Sequence, residues 1–204
     1  MSQISRDSSL KGKDLITIGI FSAIYFAINF IFMLMGGLHP ILGILMPGFI
    51  ALFTGVPFMM MCFKVQKMGA ILLMGVITGL IYFITGMFTV VILATFTVAC
   101  ILGEAARLTG KYHSTKGNTV AFIFFSLGMT GSPLPIWIMH DKFMAQSSGQ
   151  GMPDSYINTL ESLSSPAMLL VLFLAPALGA VLGAWISKGL FHKHFVKAGM
   201  VSNA

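Results

Sequence analysis

The chain has 204 residues, of which 56% are hydrophobic and 9% charged, and its formal net charge is +6. Soluble domains carry about 25% charged residues, and six membrane-spanning helices of about 20 apolar residues each would use most of this length. The composition therefore excludes a separate soluble catalytic or nucleotide-binding domain. Because basic residues accumulate in the cytoplasmic loops of membrane proteins, we expect an all-α integral membrane protein in the lipid bilayer and no binding of nucleic acid.

Six apolar stretches follow one another along the chain: residues 15–35, 41–62, 68–84, 87–108, 119–139 and 167–191. If the N-terminus is cytoplasmic, eleven of the twelve Lys and Arg residues fall on the cytoplasmic side, and Lys142 alone lies outside. The sequence therefore predicts a six-transmembrane-helix bundle in the plasma membrane, with both termini cytoplasmic. Its parts are a cytoplasmic segment 1–14, a membrane domain 15–191 and a cytoplasmic tail 192–204.

The first apolar stretch has two different faces. Gly19, Ala23 and Ala27 recur every four residues, which places three small side chains in one stripe along a helix. Such a stripe allows another membrane helix to approach closely. The opposite face carries polar and aromatic groups: Tyr25, Asn29 and Phe32. Since an amide in hydrocarbon needs a hydrogen-bond partner, the Asn29 side chain is expected to meet either a ligand or a neighbouring helix.

Prolines interrupt the second and fifth stretches. Pro47 and Pro57 lie inside the second stretch, and Pro133 and Pro135 lie near the end of the fifth. Proline removes a backbone donor and bends a helix unless neighbouring groups compensate, although membrane helices also tolerate proline without further consequence. We expect the pair of prolines beside Trp137 to shape a cavity.

Pairs of residues at helical contact spacing mark the later stretches. Glu104 and Arg107 are three positions apart and are expected to form an ion pair near the cytoplasmic end of the fourth stretch. Two pairs of glycines are expected to allow close helix packing inside the bundle: Gly75 with Gly79, and Gly179 with Gly183.

Residues 140–166 form the longest predicted extracellular loop. Its centre is rich in Ser, Gly and Gln and is expected to be irregular. Residues Asp154–Leu163 are expected to form a short amphipathic helix, with an apolar side made of Tyr156, Ile157, Leu160 and Leu163. Since the cytoplasmic loops are short, we expect function at the outer face, with this loop closing over a binding site.

The candidate substrate-binding residues lie in the predicted outer half of the bundle. They supply aromatic rings, hydroxyls, an amide and two imidazoles: Tyr25, Asn29, Phe32, His39, Tyr82, Thr85, Trp137 and His140. Trp137 can stack on a planar ligand, and the histidines can meet a polar group. No metal site is predicted unless the ligand is itself metallated, as haem is, in which case His39 and His140 would bind the metal.

The layout of the whole chain resembles the substrate-binding S component of an energy-coupling factor (ECF) transporter, and in particular the Trep-Strep integral membrane branch. The stripe of Gly19, Ala23 and Ala27 is similar to the Ala-xxx-Ala feature of that family. The resemblance implies that the stripe docks on a transmembrane coupling subunit, while two cytoplasmic ATPase subunits use ATP to drive uptake. It also implies extracellular capture of a micronutrient, either a vitamin-like compound or a metal-bearing tetrapyrrole. Substrate signatures of the thiamine, riboflavin and biotin members are absent from the sequence.

Three other interpretations stay open from the residues alone. A self-sufficient small transporter or channel often contains inverted repeats, and residues 1–110 and 111–204 show no convincing match. A membrane enzyme centred on His39, His140 and Asp141 would need a further converging group. A scaffold subunit that transports nothing needs no ligand. Because the sequence contains no known catalytic motif, we expect no enzymatic activity and no intrinsic cofactor.

Overall fold

The computed structural model describes residues 9–85 and 89–191, and these residues form helices and no strands. The helices are α1 (Gly12–Gly36), α2 (Pro40–Lys64), α3 (Ala70–Ile84), α4 (Val90–Thr109), α5 (Thr115–Leu127), α6 (Pro135–Ile138), α7 (His140–Gly149), α8 (Asp154–Leu163) and α9 (Pro166–Leu190), with a 3₁₀ turn at Gly128–Gly131. The predicted tail 192–204 and most of the predicted segment 1–14 lie outside the described residues.

Four of these helices, α1, α2, α4 and α9, are long and apolar enough to cross a membrane, and α3 is apolar but shorter. At about 1.5 Å per residue, the 25 residues of α1 extend about 37 Å, which exceeds the hydrocarbon core of about 30 Å. Large apolar side chains cover the outside of the bundle; Ile16 is 66% exposed and Trp185 is 72% exposed. An apolar exterior of this extent fits lipid rather than water.

The fifth apolar stretch differs from the prediction of one continuous helix over residues 119–139. Helix α5 begins earlier, at Thr115, and ends at Leu127, where the 3₁₀ turn and the four-residue α6 follow. Pro133 and Pro135 have no backbone N–H, so an α-helix cannot continue through them without losing hydrogen bonds. The Met129 carbonyl, to which the Pro133 nitrogen cannot donate, accepts from the Ser132 N–H at 3.2 Å, and the Thr95 hydroxyl donates to the Gly128 carbonyl at 2.8 Å. Together α5 and the turn extend about 27 Å.

Helices α7 and α8 occupy the predicted extracellular loop. The bounds predicted for α8 are confirmed, and its apolar side faces the protein, with Leu160 2% exposed. The prediction of an irregular centre is wrong for residues 140–149, which are helical, with the acidic Asp141 favourably placed in the first turn. One end of the bundle, here called the cap end, is closed by a cluster of buried apolar residues: Ile44, Ile136, Leu160 and Leu172.

Helices α2 and α9 pack through glycines that bring their backbones together. A Cβ atom at Gly183 would lie 2.7 Å from the Leu52 carbonyl oxygen, and one at Gly55 would collide with the Gly183 backbone. A Cβ at Gly179 would likewise collide with the Gly48 carbonyl. The predicted packing role of the second glycine pair is therefore confirmed, and these positions exclude any larger side chain.

The opposite end, here called the basic end, brings together the start of α1, the α2–α3 and α4–α5 connections and the end of α9. The Lys67 ammonium lies 2.8 Å from an Asp14 carboxylate oxygen and also donates to the Ser9 carbonyl. Among the described residues, eight basic side chains belong to this end: Lys11, Lys13, Lys64, Lys67, Arg107, Lys111, Lys116 and Lys188. Lys142 lies on α7 at the cap end.

Glu104 and Arg107 do not form the predicted ion pair. Each side chain instead makes hydrogen bonds with backbone groups at the end of another helix. The Glu104 carboxylate accepts from the N–H groups of Gly69 (2.9 Å) and Ile71 (3.0 Å), where α3 begins. A carboxylate is favourable there because the N-terminus of a helix carries unpaired N–H groups and a partial positive charge.

Arg107 makes the complementary contacts. Its Nη2 donates to the carbonyls of Cys62 (3.1 Å) and Val65 (2.7 Å) at the end of α2, and its Nε donates to Asn118 of α5 (3.1 Å). The guanidinium is completely buried. A cation is favourable at a helix C-terminus, so α4 holds the ends of three neighbouring helices through this pair of charged residues.

Candidate functional site

Three helices contribute polar side chains to the middle of the bundle. Within each helix these residues are three or four positions apart and therefore share one face. All of them are at most 3% exposed. The set is called the interior polar cluster and consists of Ser22, Tyr25 and Asn29 on α1, Thr78 and Tyr82 on α3, and Ser126 and Met129 near the end of α5.

Asn29 links α1 to α3 within this cluster. Its Nδ2 donates to the Tyr25 carbonyl (2.7 Å), and its Oδ1 accepts from the Tyr82 hydroxyl (3.2 Å). The same hydroxyl lies 3.9 Å from the sulfur of Met129. Of the two partners expected for Asn29, the structure shows the neighbouring helix. Asn29 lies seven residues before the end of α1, about 10 Å below the cap end.

Four hydroxyls of the cluster have no hydrogen-bond partner among the described residues: those of Ser22, Tyr25, Thr78 and Ser126. A buried polar group without a partner costs about 1–3 kcal/mol. A helical Ser or Thr can turn to the carbonyl four residues earlier, as Thr54 does with Ile50 at 2.7 Å. A tyrosine hydroxyl lies at the end of a rigid ring and cannot reach the carbonyl four residues earlier, so Tyr25 depends on a neighbouring side chain or a ligand for a partner.

The cluster is polar but uncharged, and aromatic rings surround it. The ring centroids of Tyr25 and Phe125 are 5.2 Å apart, and those of Phe26 and Tyr82 are 5.5 Å apart, both in edge-to-face geometry. The buried charged side chains of the described chain lie at the basic end instead. An environment of hydroxyls, one amide and aromatic edges favours an uncharged hydrogen-bonding group over an ion, which would lose its hydration without a counter-charge.

An apolar groove of about 370 Å³ runs between α3 and α4 and reaches the cluster at Tyr82. Phe96 and Cys100 of α4 form its floor together with Tyr82, and Gly75 and Gly79 form its α3 side. A second apolar groove of the same volume lies between α4, α5 and α9, but it contains no member of the cluster.

The predicted binding residues of α1 and α3 are only partly brought together. Tyr25, Asn29 and Tyr82 meet in the cluster. Phe32 instead stacks on two rings of α2, with centroid distances of 5.8 Å to Phe49 and 5.2 Å to Phe53. Thr85 is exposed, and its hydroxyl donates to the carbonyls of Ile81 (2.9 Å) and Tyr82 (3.1 Å). The Thr85 hydroxyl therefore caps the C-terminal end of α3.

The predicted residues at the cap end have structural partners. His39 caps α2, and its Nδ1 accepts from the Ile41 N–H at 3.2 Å. The His140 Nδ1 lies 3.0 Å from the Ile136 carbonyl oxygen. The Trp137 indole N–H donates to the Ser165 carbonyl at 3.0 Å. Within the described part of the chain, no group of three or more His, Cys, Asp or Glu residues is placed to hold a metal ion.

The stripe of small residues on α1 faces away from the rest of the bundle. Ala23 and Ala27 are exposed, and a Cβ atom at Gly19 would meet nothing within 4 Å among the described residues. The inward face of the same helix carries Tyr25 and Asn29. Helix α1 therefore presents a smooth outer surface directly behind the interior polar cluster.

Several members of the cluster were not predicted from the sequence. Ser22 and Thr78 lie three and four residues before Tyr25 and Tyr82, so helical spacing contains the signal that would have found them. Ser126 and Met129 reach the cluster where α5 passes into the 3₁₀ turn, and no simple periodicity marks that transition.

Comparison with known proteins identifies a family without assigning an activity. No curated protein and no solved structure matches the chain. Residues 12–197, which include all the described helices, match the sequence profile of the Trep_Strep family, described as a hypothetical bacterial integral membrane protein. A match over this length, together with several apolar helices and an apolar exterior, shows that the chain is a multi-pass integral membrane protein and belongs to the Trep_Strep family.

Proposed function

We propose that this protein is the substrate-binding S component of an ECF-type importer, which captures a small micronutrient on the extracellular side of the plasma membrane. In this proposal the basic end is cytoplasmic, both termini are cytoplasmic, and the chain crosses the membrane six times, with α5 and its 3₁₀ turn as the fifth crossing. The chain has no catalytic activity and no cofactor. A transmembrane coupling subunit and two cytoplasmic ATPase subunits supply the energy from ATP.

The observation that carries the proposal is the arrangement of α1. Its outer face exposes Ala23 and Ala27 beside Gly19, while its inner face holds the polar cluster. A small-residue face allows a partner helix to approach closely in lipid, where packing replaces the hydrophobic effect as the driving force. A binding site directly behind a docking face suits a subunit that captures a ligand and depends on a partner for energy.

The test replaces both Ala23 and Ala27 with Leu. Copurification with the coupling and ATPase subunits and ATP-dependent uptake by the reconstituted complex are both expected to fail, because two Leu side chains prevent close helix approach. The matched control, Ala105→Leu on the exposed face of α4, should leave both intact. Uptake by the chain alone in liposomes would instead support a self-sufficient transporter. Stable association without any uptake would support a scaffold subunit.

A further inference from the structure

The groove between α3 and α4 exists because one of its walls lacks side chains. A Cβ atom at Gly75 would collide with the Cys100 sulfur, so this glycine is needed for the two helices to pack. A Cβ atom at Gly79, one turn further along, would meet no atom within 4 Å. Packing among the described residues therefore explains the absence of a side chain at Gly75 but not at Gly79.

The lining of the groove combines two kinds of chemistry. Most of the surface is aliphatic or aromatic, and no charged residue is found among the described residues that line it. Tyr82 lies at the floor, and its hydroxyl is bonded to Asn29 and stands beside Met129. Apolar surface that leads to an uncharged hydrogen-bonding centre complements a molecule with an apolar body and an uncharged polar head.

The groove opens sideways, onto the outer surface of the bundle. Its edges are formed by side chains on the outer surface of the bundle, such as Val76 (57% exposed), Leu80 (56%) and Leu93 (49%). In a membrane this surface faces lipid. At the cap end, the apolar cluster around Leu160 packs α8 against α2 and α9, and the Tyr156 hydroxyl donates to the Gly36 carbonyl of α1 at 2.9 Å. A molecule dissolved in the bilayer can therefore enter the groove without displacing the cap.

We infer that the groove between α3 and α4 binds an uncharged amphiphile that enters from the bilayer and directs its hydrogen-bonding head towards Tyr82 and Asn29. This inference rests on the proposed function and narrows its substrate class to lipid-soluble, uncharged compounds. A carboxylate or phosphate head would lose its hydration with no cation to replace it. A fully water-soluble compound has no apolar body to fill the aliphatic part of the groove.

The experiment titrates the full chain in detergent with 1-monooleoylglycerol, an uncharged amphiphile, and follows binding by native mass spectrometry. Oleate tests the effect of a charged head, glycerol tests the head alone, and phosphatidylcholine tests ordinary lipid contact. Gly79→Leu fills the groove, and Gly189→Leu is the matched control, because a Cβ there also meets nothing within 4 Å and the residue lies on α9. Tyr82→Phe keeps the ring and removes the hydroxyl.

We expect saturable binding of 1-monooleoylglycerol that weakens at least about tenfold in Gly79→Leu and in Tyr82→Phe, with wild-type affinity in Gly189→Leu. Weaker binding of oleate and no binding of glycerol at the same concentrations would support the inference. Equal effects of the two Leu variants, or equal competition by phosphatidylcholine, would overturn it. Retention of a water-soluble compound that the amphiphile does not displace would also overturn it, yet leave the S component proposal standing. Saturable amphiphile binding without ATP-dependent uptake in the assembled complex would support the groove as a binding site and overturn the S component proposal.

Discussion

At the basic end, the Arg107 side chain joins α4 to the end of α2 and to the first turn of α5. Replacing it with Ala should lower the free energy of unfolding by about 1.5–3 kcal/mol, the usual contribution of hydrogen bonds to a charged group. The carbonyls of Cys62 and Val65 would then lose their partner. Arg107→Lys keeps the charge but cannot make all three contacts, so it should fall between Ala and wild type.

Thermal unfolding of the purified variants in detergent measures this effect. Lys116→Ala is the control, because this exposed lysine carries a similar charge on the first turn of α5. Its melting temperature should stay close to that of wild type. An equal melting temperature for Arg107→Ala and Lys116→Ala would show that the buried contacts contribute nothing to stability.

Asn29 and Trp137 were both expected to contact the ligand, and the structure separates their roles. Asn29→Ala removes the amide that joins Tyr25 and Tyr82, and it should weaken binding of 1-monooleoylglycerol by at least about 1 kcal/mol. Trp137 lies in the cap and donates to Ser165. Trp137→Ala should therefore lower the melting temperature and leave affinity nearly unchanged. The reverse pattern would move the binding site to the cap end.

At the scale of single elements, α8 is held by one specific hydrogen bond and one buried anchor. The Tyr156 hydroxyl donates to the Gly36 carbonyl at 2.9 Å, and burial raises the pKa of Tyr156 further above its ordinary value. Tyr156→Phe keeps the ring but loses this donor, which contributes about 1 kcal/mol. Amide hydrogen exchange in α8 should become about fivefold faster.

Ser155→Ala provides the matched control for this measurement. Ser155 is the exposed neighbour of Tyr156 on α8, and the change should leave exchange in α8 near the wild-type rate. Unchanged exchange in Tyr156→Phe as well would show that apolar packing, with Leu160 as its buried anchor, holds the helix against the bundle without this hydrogen bond.

Helical periodicity determined how much of these elements could be predicted. The small-residue stripe and the inward face of α1 follow directly from spacing, and the bounds of α8 follow from its apolar side. The break after Leu127 was missed because apolar composition continues across Gly128 and Pro133, and hydropathy does not report the missing N–H of proline. The partners of Glu104 were missed because they are backbone N–H groups. Every residue except proline carries such a group, so the sequence does not mark which ones a side chain will meet.

The same limit applied to the candidate site. Tyr25, Asn29 and Tyr82 could be chosen because polar residues in apolar stretches must face the interior. His39, Trp137 and His140 are chemically equally suitable, but one ring nitrogen of each histidine and the Trp137 indole N–H already meet backbone groups at the cap end. Which polar group is left for a ligand depends on local backbone geometry, and composition does not contain that information.

At the scale of the whole molecule, the two ends are held together by different forces. Buried charged groups and helix ends hold the basic end, whereas apolar side chains and the Tyr156 contact hold the cap end. Apolar contacts without a charged network are easier to open and reclose, since no buried charge must lose its partner. This difference favours a rigid basic end and a cap end that opens more easily.

The last prediction concerns the orientation of the protein in the membrane, which follows from the positions of the described basic residues. Lys and Arg stay on the cytoplasmic side, so the basic end should be cytoplasmic and the cap end extracellular. Ser148→Cys, on an exposed position of α7, should react with a membrane-impermeant thiol reagent on intact cells. Lys116→Cys, exposed at the basic end, and Ser114→Cys beside it should react only after the cells are permeabilised. The native cysteines, Cys62 and Cys100, are buried and should give little background. Labelling of Lys116→Cys on intact cells, with Ser148→Cys protected, would show that the topology is the opposite of the predicted one. The cap and the proposed capture site would then face the cytoplasm, which is the wrong orientation for uptake.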